Sequence, residues 1–189
     1  MSSTRVMSMH SYSKVLVFSR QKRENNLLLA TRYAMKPLQE HLTEYGRFHT
    51  HRINQRTHYI GIPCIIIGLL LMLSWLKVDI TTDFSIPAPW LLVLPTLMYY
   101  GFLDYRIAVI TAIIVLPITA TIIHYASHGP THTMLIVSIL LFASGWALQY
   151  IGHFYEKKQP AFYTNLIHLL IGPLYFIDKL LQKIRRSVK

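Results

Sequence analysis

Two short stretches of this 189-residue chain concentrate the side chains able to do chemistry. The first is Phe48-His49-Thr50-His51-Arg52-Ile53-Asn54-Gln55-Arg56-Thr57-His58-Tyr59, and the second is Gly152-His153-Phe154-Tyr155-Glu156. Histidines with at most one carboxylate, and no thiolate at hand, suit iron(II), zinc or copper. Two or three histidines plus a carboxylate, with open positions, form the donor set of non-haem iron oxygenases. The same ligands around zinc activate water for hydrolysis. Asn54 stands four residues before His58 and His51 seven before it, so these three share one face of a helix. His49 is nine residues from His58, about 180° around a straight helix. His49 and His58 therefore bind one metal only if the helix breaks between Thr50 and Arg56. In the second stretch Gln149, His153 and Glu156 follow at intervals of four and three. Glu156 in that stripe either binds a metal directly or orients the histidine.

Both stretches border apolar segments. Between Tyr59 and Gly152 the charged residues are Lys77, Asp79, Asp83, Asp104 and Arg106 alone. Segments so poor in charge and so rich in Leu, Ile, Val and aromatics read as membrane spans, whereas a soluble helical protein would show polar faces. The predicted fold is all-α, an integral membrane helical bundle of about four transmembrane helices. It carries an N-terminal interfacial amphipathic helix and a C-terminal kinked or re-entrant helix. Spans are expected over roughly 59–76, 88–103, 107–125 and 134–151, with Pro95 and Pro117 tolerated inside them.

The net charge of +11 lies almost wholly outside this block. Next to spans, basic flanks follow the positive-inside rule and meet anionic headgroups, so membrane lipids rather than nucleic acid are the expected partner. This pattern places both termini on the cytoplasmic face, together with His49, His58 and His153. The host membrane would be the endoplasmic reticulum in a eukaryote and the inner membrane in a bacterium. Ionisable groups at such depth are costly and functional by default, and their pairing on one face singles out His49, His58 and His153. His124, His128 and His132 fall on the other side, in a Gly-Pro loop that reads as solvated.

Residues 1–34 read as a disordered basic extension, 35–180 as the membrane-embedded domain and 181–189 as a basic cytoplasmic tail. Leu38, Leu42, Tyr45 and His49 line one helical face, as an interfacial amphipathic helix requires. Residues 161–178 form a last apolar stretch broken at Gly172-Pro173, with His168 on an apolar face as an open candidate ligand. The single Cys64 excludes an intramolecular disulfide.

The pattern His49-x4-Asn54-x3-His58-x4-Pro63 resembles the first motif of the yeast-type 2-hydroxy fatty acid dioxygenase family, small multi-spanning membrane proteins. Gly145-Trp146 through Gln149-Tyr150-Ile151-Gly152-His153, then Glu156-Lys157 and Pro160-Ala161, resembles the second motif. Asn165-Leu166 and Gly172-Pro173-Leu174-Tyr175-Phe176 resemble the closing helix. In this chain Glu156 follows His153 by three residues, one fewer than in the yeast-type spacing. The resemblance covers about 38–180 and implies a dioxygenase-like domain with Fe(II) held by His49, His58 and His153. It implies Asn54 and Glu156 as catalytic residues, and α-oxidation that shortens a 2-hydroxy fatty acid by one carbon using dioxygen. Arg52 and Arg56 would attract either the substrate carboxylate or lipid phosphate. The rival readings are a zinc-dependent membrane lipid hydrolase and a non-enzymatic membrane scaffold or transporter; the scarcity of intramembrane charge counts against transport.

Overall fold

The computed structural model describes residues 9–34, 36–127, 129 and 131–187. They fall into two compact units, Met1–Lys36 and Pro37–Lys189. In the first unit, where the sequence predicts a disordered extension, Met9–Ala34 forms a helix, α1. The segment has neither glycine nor proline and is rich in the good helix formers Arg, Leu and Ala. An exposed Arg20–Glu24 pair at 3.0 Å adds i,i+4 support.

The second unit begins with a short helix, α2 (Leu38–Gly46), whose Leu38, His41, Leu42 and Tyr45 are buried. Four apolar helices follow: α3 (Arg52–Leu73), α4 (Ala88–Leu103), α5 (Tyr105–Ala126) and α6 (His132–Glu156). A helix α7 (His168–Ser187) closes the chain after a single 3-10 turn at Ala161–Tyr163. The connection after α3 is a small antiparallel hairpin, β1 (Lys77–Asp79) against β2 (Ser85–Pro87), with Val78 opposite Ile86. Asp104 ends α4 and caps α5 by accepting from the Arg106 and Ile107 amides, so two apolar helices meet with one residue between them.

α3, α5 and α6 are each long and apolar enough to cross a membrane. α4 has 16 residues, about 24 Å of helix against a hydrocarbon core of about 30 Å. Outer faces carry exposed apolar side chains such as Ile60, Met98, Phe102, Ile113 and Leu140, a surface suited to lipid rather than water. The residues expected to form a separate tail from 181 instead continue α7 as far as Ser187. Its buried side is Ile171, Leu174, Tyr175 and Phe176, which pack with Leu38, Leu42 and Tyr45 of α2 in one core cluster.

The closest packing in the unit lies between α3 and α6, and glycine makes it possible. A Cβ on Gly145 would stand 2.8 Å from the Gly61 carbonyl and 2.9 Å from the Ile65 amide nitrogen. A Cβ on Gly68 would stand 2.7 Å from the Phe142 nitrogen, and one on Gly152 2.5 Å from Asn54 Oδ1. Positions rise along α3 as they fall along α6, so the two helices are antiparallel with backbones in contact. Close approach through small residues is how apolar helices associate where the hydrophobic effect gives no preference for protein over lipid. Gly145→Ala is expected to destabilise the fold by about 1–3 kcal/mol through overpacking against backbone atoms, measured by unfolding in mixed micelles. An unchanged stability would mean that the seam is not tight.

Candidate metal centre

The seam brings the N-terminal end of α3 beside the C-terminal end of α6, and the histidines converge there. His49, His58 and His153 are 1%, 2% and 5% exposed. One donor atom from each lies within 4.8 Å of the others. Ring centroids are 4.5 Å apart for His49–His58, 4.9 Å for His58–His153 and 5.0 Å for His49–His153, with planes 72–83° apart. The three rings thus meet edge-to-face rather than stacking. Among the described residues this is the group of three or more His, Cys, Asp or Glu side chains placed to hold a metal ion.

The tautomers follow from the hydrogen bonds. His49 Nδ1 lies 2.8 Å from the Tyr45 carbonyl and His58 Nδ1 2.9 Å from the Asn54 carbonyl. A carbonyl only accepts, so each Nδ1 carries the proton and each Nε2 presents a lone pair. Ring N–H groups anchored to backbone carbonyls in this way are characteristic of metal-binding histidines. His49 Nε2 and His153 Nδ1 are buried with no hydrogen-bond partner, a costly arrangement for a polar atom unless something else binds it. The donor set therefore fits a divalent transition metal.

His49 reaches the group because the chain leaves the helix earlier than its sequence suggests. α2 ends at Gly46 and α3 begins at Arg52, so the break spans Arg47–His51 instead of lying within Thr50–Arg56. Side chains satisfy this turn from both sides. Asn54 Nδ2 donates to the Phe48 carbonyl and Gln55 Nε2 to the His49 carbonyl, each at 2.8 Å. The Glu156 carboxylate accepts from the Thr50 amide at 3.0 Å, the His51 amide at 2.7 Å, the Thr50 hydroxyl and Asn54 Nδ2. Glu156 is thus turned to the start of α3, where the exposed amides and helix dipole favour a carboxylate, and its oxygens are occupied there. Tyr45 stacks on the His49 ring at 4.0 Å and 9°, one helical turn earlier in sequence.

Other candidates are placed elsewhere. His51 is exposed and caps α3, its Nδ1 accepting from the Ile53 amide at 3.2 Å. Arg52 and Arg56 are exposed and outside the cavity lining. His168 is buried with Nδ1 2.8 Å from the Ala161 carbonyl; it shares the cavity but not the group of three. His128 lies outside the described residues. Sequence reading overlooked Tyr45, Thr50 and Gln55; only Tyr45, at i−4 from His49, had a visible signal.

The triad sits at the head of an apolar cavity of about 410 Å³. Its wall includes Ile62, Ile66, Leu70, Val93, Leu97 and Val115. His58 and Leu70 both line it, twelve residues apart on α3, which is about 18 Å of helix. A second, polar cavity of about 380 Å³ touches His49, Thr50 and Gln55 on the side of α2 and α7. His49 is therefore the wall between an apolar and a polar space.

Burial pushes the His49 pKa down to about 4, against a smaller upward effect of its bond to the Tyr45 carbonyl. In metal-free protein the unfolded state binds a proton between pH 6.5 and about 4 that the folded state refuses. Stability is accordingly present above pH 6.5 and is lost as pH falls toward 4, up to tenfold in the folding equilibrium per pH unit. Denaturant titrations of the metal-free protein across that range, with His49→Ala as the flatter comparison, check it.

No curated protein and no solved structure matches the chain. A family model described as "2-hydroxy-palmitic acid dioxygenase Mpo1-like" matches residues 35–184, a range that contains the triad, the capped turn and the whole apolar cavity. The chain belongs to this Mpo1-like family.

Proposed function

We propose that the protein is an iron(II)-dependent dioxygenase that shortens 2-hydroxy fatty acids by one carbon, with His49, His58 and His153 as the metal ligands. The observation that carries this reading is the convergence of three buried imidazoles, two with Nδ1 tied to backbone carbonyls, at the head of an apolar cavity. Family membership supports the substrate class. Bound iron(II) would supply the reactivity toward dioxygen that cleavage between C1 and C2 requires.

The chain's own residues account for the rest. Three neutral imidazoles leave the charge of a divalent ion uncompensated, which favours an anionic ligand. The carboxylate and adjacent hydroxyl of a 2-hydroxy acid would offer such an ion two oxygen donors. The cavity from His58 toward Leu70 keeps the alkyl chain among apolar side chains and water away from the reacting end. Asn54 and Glu156 hold the His49 turn, so their part in catalysis is to orient a ligand. The basic flanks favour the cytoplasmic side for this end of the bundle.

The test is metal analysis of detergent-purified protein followed by turnover of 2-hydroxypalmitate with added iron(II). About one iron per chain and oxygen-dependent chain shortening are expected. Turnover that persists without dioxygen, or with zinc in place of iron, overturns the reading.

A further inference from the structure

A fatty acid that enters from a bilayer leaves one apolar environment for another, so its alkyl chain gives little preference for the cavity over lipid. Selection must come from the polar end. The polar groups lining the cavity are mostly satisfied by nearby carbonyls. Thr96 Oγ1 donates to Leu92 at 2.7 Å, Thr111 Oγ1 to Ile107 at 2.8 Å and the Tyr100 hydroxyl to Leu170 at 2.6 Å. Among the described residues, three lining side chains keep a buried polar atom without a partner: His49, His153 and Gln149. The first two are the imidazoles of the metal centre. Gln149 is different, because its unpartnered Nε2 is a donor that no metal can satisfy.

Gln149 is 6% exposed and lies one turn before His153 on α6, on the same face. Its amide is seated over Gly61, where an added Cβ would stand 2.5 Å from Nε2. The terminal torsion of glutamine is broad and roughly two-fold, so the amide can present N–H to the cavity. A buried amide without an acceptor is destabilising, a cost that a leucine at this site would avoid. The lining contains no lysine or arginine. A carboxylate at the head of the cavity therefore finds no cationic side chain in the described lining, and in Gln149 a buried amide donor still without a partner.

Resting on the reading of the site as a 2-hydroxy fatty acid dioxygenase, we propose that Gln149 binds the substrate carboxylate through its amide N–H. It thereby selects fatty acids over neutral lipids and sets C1 beside the triad. A hydrogen bond to a charged group sets the expected effect at about tenfold or more.

The experiment measures displacement of a fluorescent polyene fatty acid from metal-free protein in detergent, so that binding is read without turnover. Gln149→Leu should weaken 2-hydroxypalmitate about tenfold and leave the long-chain primary alcohol that lacks C1 unchanged within about twofold. Gln149→Glu should weaken the acid further, by like-charge repulsion, and Gln149→Met stands in if the leucine variant misfolds. With metal, KM should rise about tenfold while kcat and iron content hold. Equal loss of acid and alcohol, loss of iron, or unchanged binding of both would each overturn the inference. If the native protein binds 2-hydroxypalmitate but does not shorten it, the dioxygenase reading fails and the carboxylate contact stands. If it shortens the acid and Gln149→Leu binds like native, only this inference fails.

Discussion

His58→Ala is expected to lower the metal affinity more than 100-fold and to abolish chain shortening. A buried group that merely supports a metal ligand already costs 10–100-fold when removed, and His58 is proposed as a ligand itself. Its ring lies edge-to-face with those of His49 and His153 at 4.5 and 4.9 Å, and His49 cannot move into its place without leaving its anchor on the Tyr45 carbonyl. The readout is the metal dependence of thermal stability. A ligand that binds only the folded state stabilises it by about 2.7 kcal/mol at a hundred times its dissociation constant, so the native protein should melt higher when iron(II) is added and His58→Ala should not. A variant that keeps both the metal-induced shift and the activity would exclude His58 from the centre.

Glu156→Leu is expected to destabilise the fold by at least about 1–3 kcal/mol, the scale for leaving a buried donor without its acceptor, and to weaken metal binding about 10–100-fold. The carboxylate alone answers the Thr50 and His51 amides, the Thr50 hydroxyl and one proton of Asn54. Without it these donors are left without their acceptor, and the turn that projects His49 loses its tie to α6. Glu156→Gln keeps one acceptor oxygen and should fall between the two. Denaturant titration and metal titration of the same samples separate the roles. Lost stability with intact metal affinity would make Glu156 a helix cap alone, and lost metal with intact stability would make it a ligand.

These two residues mark the boundary between local and tertiary information. His58 sits four residues after Asn54, and a helical period is enough to place them on one face. Glu156 acts on residues 102–106 positions away in sequence, and nothing in its neighbours says so. His51 and His49 look alike in the sequence, each two residues from the other. His51 became the cap of α3 and His49 a member of the triad only because the helix stops at Gly46 and restarts at Arg52. Turn conformation of this kind is settled by whether its carbonyls and amides find partners, and here the partners are Asn54, Gln55 and Glu156. Helix α1 was missed for the opposite reason: its propensity is local and good, but no apolar stripe announces it.

By itself the sequence determined the apolar helices, the all-α class and the two polar stretches at their ends, because hydropathy and helical periodicity act within a few residues. Which imidazoles meet, which way Glu156 turns and that Gln149 lines an apolar cavity with an unanswered donor are products of packing between distant segments. Those outcomes depend on the antiparallel docking of α3 on α6. That docking rests on backbones touching at Gly61, Gly68, Gly145 and Gly152, a complementarity between segments about eighty residues apart that no local pattern displays.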